Sequence, residues 1–281
     1  LRENMIIWLA SYPKSGNTLV RSMLSAYNFS RTGEFNFQLL QNIKQFPNKT
    51  IFNYLGVDTS NKLEIVKNYI SAQEEINKRD GNSIRFIKTH AALQSINGYP
   101  FTNYKNSLGA IYIVRDPRKV VLSYANHYQV ALEESLKQLS SEAVMVEDIS
   151  LTNIGTWSSN YNSWKEFKKL GRYLLIKYED LILKPRETFI LILEFIHKLT
   201  KTKFVLDELK LKNVLKTTTF EYLQNLEKKE SFPESRKTKD GKLINFFKYG
   251  KKNTGKNLPE EINKNIEENF SLEMKELGYL L

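Results

Sequence analysis

The chain has 281 residues, of which 41% are hydrophobic, so it can bury a full core as one large domain or two small ones. It contains no cysteine, which excludes disulfides, thiolate metal sites and a cysteine nucleophile. Its formal net charge of +11 indicates anionic partners, such as nucleotide phosphates, nucleic acid or an acidic surface.

The sequence carries no sign of a membrane span, a repeat or a linker. No apolar run reaches transmembrane length, and the first residues lack the apolar core of a signal peptide. Residues 1–4 are interpreted as a remnant ahead of a native start at Met5. Because no proline-rich linker divides the chain, we expect residues 1–281 to form a single domain, and we expect that domain in the cytoplasm.

The first predicted element is a buried strand over residues 6–10, which form an unbroken apolar run. The run breaks at residues 11–18, and apolar residues at helical spacing follow from Leu19 to Tyr27. Consecutive backbone N–H groups, the positive end of the helix and the Lys14 ammonium make this loop a candidate phosphate site. Because Lys14 precedes Gly16, the spacing is not that of Walker A. An ordinary strand-to-helix turn is the alternative interpretation.

Further strands and helices alternate along the rest of the chain. Strands are predicted at 83–88, 109–114 and 173–176, and helices at 62–78, 117–128, 156–170 and 185–199. Pro185 stands at a favourable first helical position. The alternation predicts an α/β fold of three layers, with a central, mostly parallel sheet flanked by helices.

Three of the predicted strands end in polar sequences that suit a ligand site. They are followed by Lys14, by Lys88-Thr-His90 and by Arg115. In parallel sheets, ligands bind at the carboxyl ends of the strands. Ser123 lies about two turns into the helix after Arg115, so the two side chains are candidates for a second phosphate site. The alternative is a surface arginine with a solvent-facing serine.

Taken in order, these motifs resemble the sulfotransferase family, which has a P-loop-NTPase-like fold and uses 3′-phosphoadenosine 5′-phosphosulfate (PAPS) as sulfuryl donor. The loop at 12–18 is similar to the family's 5′-phosphosulfate loop, and the stretch from Arg115 to Ser123 is similar to its 3′-phosphate segment. Lys88-Thr-His90 matches the element that carries the family's catalytic histidine. The resemblance implies these nucleotide-binding residues: Lys14, Ser15, Gly16, Asn17, Thr18, Arg115, Ser123, Tyr178, Thr218, Phe220, Lys248 and Gly250.

The sequence departs from the family pattern at two places. Leu19 stands where the family usually has a tryptophan that stacks on the adenine. The late Arg-Lys-Gly signature is only approximated by Lys248 and Gly250, and lysine offers the 3′-phosphate a point charge rather than a fork of donors. Thr218 and Phe220 stand where the family places residues around the adenine.

Sulfuryl transfer is an in-line displacement in which the protein positions the reactants and stabilises charge. The resemblance implies that Lys14 and Lys88 stabilise the leaving oxygen, that His90 takes the acceptor's proton, and that adenosine 3′,5′-bisphosphate (PAP) leaves without help from a metal. Of the two other histidines, His127 is interpreted as an acceptor-pocket contact and His197 as a helix-surface residue.

The acceptor is expected to be a hydroxyl or an amine of a small molecule or carbohydrate, while its identity and the oligomeric state stay open. The basic segment 228–256 is interpreted as a lid over the donor, with a solvated loop as the alternative. Two other functions are weighed: a nucleotide or metabolite kinase of the same fold, and a non-enzymatic nucleic-acid-binding protein supported by charge alone. We expect no nucleic-acid partner.

Overall fold

The computed structural model describes residues 5–79, 84–142, 144–147, 150–238, 240–248 and 258–281. The strands are β1 (Ile6–Ser11), β2 (Arg85–Thr89), β3 (Ser95–Ile96), β4 (Tyr99–Pro100), β5 (Ser107–Val114), β6 (Val144–Glu147), β7 (Ser150–Asn153), β8 (Tyr173–Lys177), β9 (Arg236–Lys237) and β10 (Leu243–Ile244). The helices are α1 (Asn17–Phe29), α2 (Lys49–Tyr54), α3 (Lys62–Lys67), α4 (Tyr69–Lys78), α5 (Pro117–Tyr128), α6 (Leu132–Ser140), α7 (Trp157–Trp164), α8 (Tyr178–Leu183), α9 (Pro185–Thr200), α10 (Glu208–Thr217), α11 (Phe220–Lys229), α12 (Glu260–Asn269) and α13 (Ser271–Glu276). Phe37–Asn42 and Lys165–Leu170 are 3-10 helices.

A four-stranded sheet in the order β2-β1-β5-β8 forms the centre of the molecule. All of its pairings are parallel, and β1 pairs with β2 on one side and with β5 on the other. Three two-stranded antiparallel ribbons, β3-β4, β6-β7 and β9-β10, lie outside it. The carboxyl ends of β1, β2 and β5 therefore meet at one edge of the sheet.

The alternating side chains of β1 divide the core into two halves. Ile6 and Trp8 pack on one face with residues of α7, α12 and α13, whereas Ile7 and Leu9 pack on the other with residues of α1, α9 and α10. Every residue of β1 is buried, which is why the strand is an unbroken apolar run rather than an alternating one. The predicted α/β fold with a central parallel sheet between two helical layers is confirmed.

Two of the predicted helices are interrupted in the structure. The predicted helix 62–78 is divided at Asn68, where α3 ends and α4 begins, and the Asn68 side-chain amide donates to the Glu64 carbonyl at 2.8 Å. The predicted helix 156–170 is α7 followed by a 3-10 helix, with Thr156 as an N-cap that accepts from the Ser159 amide at 2.9 Å. Local hydrogen bonds from short polar side chains thus mark the break between α3 and α4 and the start of α7.

The remaining predicted elements agree with the structure within two residues. β5 begins at Ser107 rather than at 109, β2 begins at Arg85, and residue 83 lies outside the described residues. Pro185 is the first residue of α9, as predicted. In the described part of the chain, no helix has both the length and the apolar character that a membrane span requires.

Candidate active site

The loop between β1 and α1 takes a backbone conformation that depends on glycine. Lys14 and Gly16 have φ values of 66° and 102°, in the left-handed region. A Cβ atom on Gly16 would lie 2.3 Å from Cδ2 of Tyr178, so the absence of a side chain lets that ring lie against the loop. The loop brings the start of α1 to the edge of the sheet where β1 ends.

Arg115, which follows β5, contacts this loop directly. Its Nη1 donates to the Lys14 carbonyl oxygen at 3.2 Å, and its guanidinium lies 4.2 Å from the centre of the Tyr178 ring. The two segments predicted to hold different phosphates are therefore neighbours in space. On the next helix, Asn126 accepts a hydrogen bond at 2.8 Å from the Lys248 ammonium.

A cavity of about 320 Å³ opens at this edge of the sheet. It is lined by the following predicted site residues: Lys14, Gly16, Asn17, Thr18, Lys88, His90, Arg115, Ser123, Tyr178, Phe220 and Lys248. Leu19, the departure from the family's tryptophan, lines the same cavity with Leu223 and Phe247. The structure thus collects the lysines, the histidine, the arginine and the apolar side chains into one site.

Three predicted residues are not part of this lining. The Ser15 side chain is buried, and Gly250 lies outside the described residues. Thr218 is buried, and its hydroxyl donates to the Val214 carbonyl at 2.8 Å. The hydroxyl of Thr218 is thus held by the preceding helix, and the predicted place of Thr218 at the adenine stays a prediction.

Several buried polar atoms at the site have no hydrogen-bond partner among the described residues. They are Oγ of Ser15, Oδ1 of Asn17 and Nε of Arg115. Buried polar groups in proteins are almost always hydrogen-bonded, so these atoms indicate a site built for a polar ligand. With the cationic side chains beside them, the residues present fit a nucleotide that carries more than one anionic group.

His90 is held in one orientation by the end of β1. Its Nδ1 lies 2.8 Å from the Ser11 carbonyl oxygen and 3.2 Å from the Ser11 hydroxyl. Because a carbonyl oxygen only accepts, we assign the ring proton to Nδ1, which leaves Nε2 unprotonated. Burial lowers the pKa of His90 to about 3, and the charge of Lys88 adds to this. The ring is therefore neutral near pH 7, with Nε2 available as a base.

The protonation of Lys14 depends strongly on burial and on the charges around it. Burial lowers its pKa to about 7, Glu234 opposes this, and Lys88 and Arg115 add to it. Its ammonium lies 3.7 Å from the centre of the Phe246 ring. The charge of Lys14 is consequently sensitive to pH in the neutral range and to any anion that enters the cavity.

The other two histidines differ in position. His127 lines the cavity, where its ring lies edge-on to Phe246 with 5.5 Å between centres. Burial lowers the pKa of His127 to about 3, with Lys14 adding to this. His197 lies in the last turn of α9, away from the cavity lining, and its Nδ1 is 2.7 Å from the Thr202 hydroxyl.

Two charged residues of the cavity were not among the predicted site residues, Arg236 and Glu234. The Glu234 carboxylate accepts from the Thr18 hydroxyl at 3.2 Å, pairs with Lys88 at 3.4 Å and pairs with the Arg21 guanidinium. Glu234 belongs to the predicted lid segment, residues 228–256, in which a few acidic residues stand among many lysines. Arg236, Phe246 and Lys248 of the same segment also line the cavity.

Comparison with known proteins agrees with this geometry. Residues 5–278 match the family model described as "Sulfotransferase domain". The chain is 28% identical over 196 residues to mouse (Mus musculus) sulfotransferase 1 family member D1, which is 68% of this chain and 59% of that relative. It is 21% identical over 271 residues to mouse sulfotransferase 1E1, which is 95% of this chain and 83% of that relative.

Solved structures share the fold. The mouse sulfotransferase SULT7A1 complexed with PAP has a TM-score of 0.56 at 17% identity, covering 97% of this chain and 84% of that one. Retinol dehydratase in a complex with retinol and PAP has a TM-score of 0.60 at 17% identity, covering 98% and 82%. The predicted family and fold are confirmed, and the chain belongs to the sulfotransferase family.

Proposed function

We propose that this sulfotransferase passes the sulfuryl group of PAPS to a hydroxyl group on a small molecule, and that His90 takes the proton of that hydroxyl. The observation that carries the proposal is the shared cavity. One cavity of about 320 Å³ contains a neutral histidine, the phosphate loop and the Arg115–Ser123 pair. Relatives of the same fold were solved as complexes with PAP, which supports the choice of nucleotide.

The roles of the nucleotide-binding residues follow from their places in the cavity. The loop from Lys14 to Thr18 is proposed to hold the 5′ end, because its backbone N–H groups lie at the start of α1. Arg115 and Ser123, with Lys248 beside Asn126, are proposed to hold the 3′-phosphate. The apolar side chains near Phe220 are proposed to contact the adenine. PAPS supplies the sulfuryl group.

The chain's own groups account for the remaining chemistry. Nε2 of His90 accepts the hydroxyl proton, while the Ser11 carbonyl keeps Nδ1 protonated and the ring oriented. Lys14 and Lys88 place two positive charges where negative charge grows on the leaving oxygen. Because these charges are in place beforehand, little reorganisation is needed during transfer.

A partly apolar acceptor fits the cavity best. Tyr128, His127 and Phe246 line it beside the charged groups, and such rings suit a flat or apolar molecule. Solved structures of retinol dehydratase hold retinol or androsterone, which supports an acceptor of this kind. A carbohydrate acceptor, a cytoplasmic location and the lid role of 228–256 stay predictions.

The function is tested with ³⁵S-labelled PAPS and a panel of phenols, aliphatic alcohols, amines and sugars, in the presence of EDTA. We expect labelled product from phenols or apolar alcohols, and saturable binding of PAP by calorimetry. Phosphorylated product from ATP and Mg²⁺ would instead support the kinase alternative. Salt-sensitive RNA binding that PAP does not compete with would support the nucleic-acid alternative.

Arg115→Gln is expected to weaken PAP selectively. Charge-assisted hydrogen bonds are worth about 1.5–3 kcal/mol, so the dissociation constant for PAP should rise about 10- to 100-fold. Adenosine 5′-monophosphate, which lacks the 3′-phosphate, should bind as it does to the wild type. Calorimetry with both nucleotides checks this. An equal loss for both would mean that Arg115 acts by holding the loop through the Lys14 carbonyl.

His90→Asn is expected to abolish most of the transfer and to leave PAP binding unchanged. The Asn amide can still donate to the Ser11 carbonyl, but it has no counterpart of Nε2. General-base catalysis contributes about 10²- to 10⁴-fold, so the single-turnover rate should fall by that factor. His197→Asn, in the last turn of α9 and outside the cavity lining, is the control and should retain the rate. Comparable losses in the two variants would contradict the assignment.

PAP affinity is expected to fall as the pH rises from 7 to 9. The pKa of Lys14 in the nucleotide-free protein is about 7, and a bound anion favours the protonated form. Above pH 7 binding must therefore take up a proton, and affinity should fall by up to about tenfold per pH unit. The phosphates of PAP are ionised above about pH 6 and do not contribute.

The measurement is calorimetry at several pH values in buffers of different ionisation enthalpy, which counts the protons taken up. Lys14→Arg keeps its charge throughout this range and should remove both the proton uptake and the pH dependence. A pH dependence that persists in Lys14→Arg would assign the titration to another group.

A further inference from the structure

One carboxylate joins three separate parts of the site. Glu234, in the segment between α11 and β9, accepts a hydrogen bond from Thr18 on α1 and pairs with Lys88 on β2. It also pairs with Arg21 on α1. Burial alone would raise the pKa of Glu234, but Lys88 and Arg21 together lower it well below its usual range. The group is therefore an anion that three side chains on two elements, α1 and β2, hold in place.

Arg21 fixes the position of this carboxylate. The Arg21 side chain is 6% exposed, and its Nη2 donates to the carbonyls of Leu40 and Ile43 at 3.3 and 3.0 Å. Among the residues that the structure describes, Glu234 is the one carboxylate paired with Arg21. A buried charge without its partner is costly, so Glu234 cannot leave Arg21 when an anionic nucleotide enters.

Lys88 gains a defined position from the same carboxylate. Its side chain is 8% exposed, and its Nζ lies 3.4 Å from Oε1 of Glu234 at the wall of the cavity. A lysine ammonium sits on a flexible four-carbon stem, so a fixed partner decides where its charge lies. Lys14, Arg115 and Arg236 line the same cavity, and the Glu234 carboxylate offsets the repulsion between them and Lys88.

We propose that Glu234 is a positioning residue of the transfer reaction: anchored by Arg21, its carboxylate keeps the Lys88 ammonium at the donor site and fastens the segment 230–238 to helix α1. The proposal rests on the proposed function, because it acts through the role given there to Lys88. In this proposed role, Glu234 neither accepts a proton nor contacts a reacting atom.

The test is a double-mutant cycle of Glu234→Gln and Lys88→Met in the transfer assay. Glutamine keeps an acceptor for Thr18 and Arg21 but loses the charge. A misplaced catalytic group costs about 10- to 100-fold, so Glu234→Gln should lower kcat by that factor. In the Lys88→Met background the same change should cost clearly less, because the contribution made through Lys88 is already lost. Glu230→Gln, an exposed carboxylate at the end of α11, is the matched control and should leave kcat unchanged.

The cycle separates positioning from a purely structural role, because a loss of folded protein would appear in both backgrounds. An equal loss of kcat in the wild-type and Lys88→Met backgrounds would overturn the proposal. So would an unchanged kcat in Glu234→Gln. Thermal unfolding of each variant, measured alongside, gives the folded fraction by which kcat is corrected.

A second measurement does not depend on the donor or the acceptor. Acetic anhydride reacts with amines in their neutral form. A carboxylate partner slows this reaction because it favours the charged ammonium form. Mass spectrometry should show Lys88 labelled several-fold faster in Glu234→Gln than in the wild type, with no such change in Glu230→Gln. Equal labelling would overturn the proposal whatever the transfer assay gives. A wild-type protein with protected Lys88 but no labelled product from PAPS would instead overturn the proposed function.

Discussion

The parallel pairing of β1 with β2 and β5 is the constraint on which the site depends. The register places Ala10 opposite Thr89, and Ser11 opposite Ile113, so the three strands end within a few residues of one another. Whatever follows each strand must then meet at the same edge of the sheet. The phosphate loop, the Lys88–His90 element and Arg115 are neighbours for this reason.

That edge concentrates positive charge in a confined space. In the described part of the chain, the cavity is lined by Lys14, Lys88, Arg115, Arg236 and Lys248 and by one carboxylate, that of Glu234. Burial is the main cause of the lowered pKa of Lys14, and repulsion from the neighbouring cations adds to it. The charge of Glu234 opposes this lowering. The carboxylate therefore contributes to the fold by pairing with Arg21 and to the chemistry by favouring the charged form of Lys14.

Much of the site could be predicted from the sequence, because its residues follow strands that are recognisable as apolar runs. The positions of Lys14, His90 and Arg115 need only that recognition and the rule for parallel sheets. Glu234 could not be found this way. Its segment has little regular structure, and its path is set by distant contacts, such as the Glu227 carboxylate that accepts from the amides of Phe246 and Phe247 at 2.6 and 3.0 Å.

The charge of the cavity accounts for its choice of ligand. Among the residues that the structure describes, five cationic side chains and one carboxylate line it, which gives a formal charge of +4 when Lys14 is protonated. Two phosphate groups carry about −3 to −4 at neutral pH, so a nucleotide with phosphates at both the 3′ and 5′ positions balances the cavity. In kinases, Mg²⁺ supplies much of this neutralisation. Here side chains supply it, and two of them, Arg236 and Lys248, come from the same segment as Glu234. The segment that contributes these two charges therefore also contacts Lys88 through Glu234.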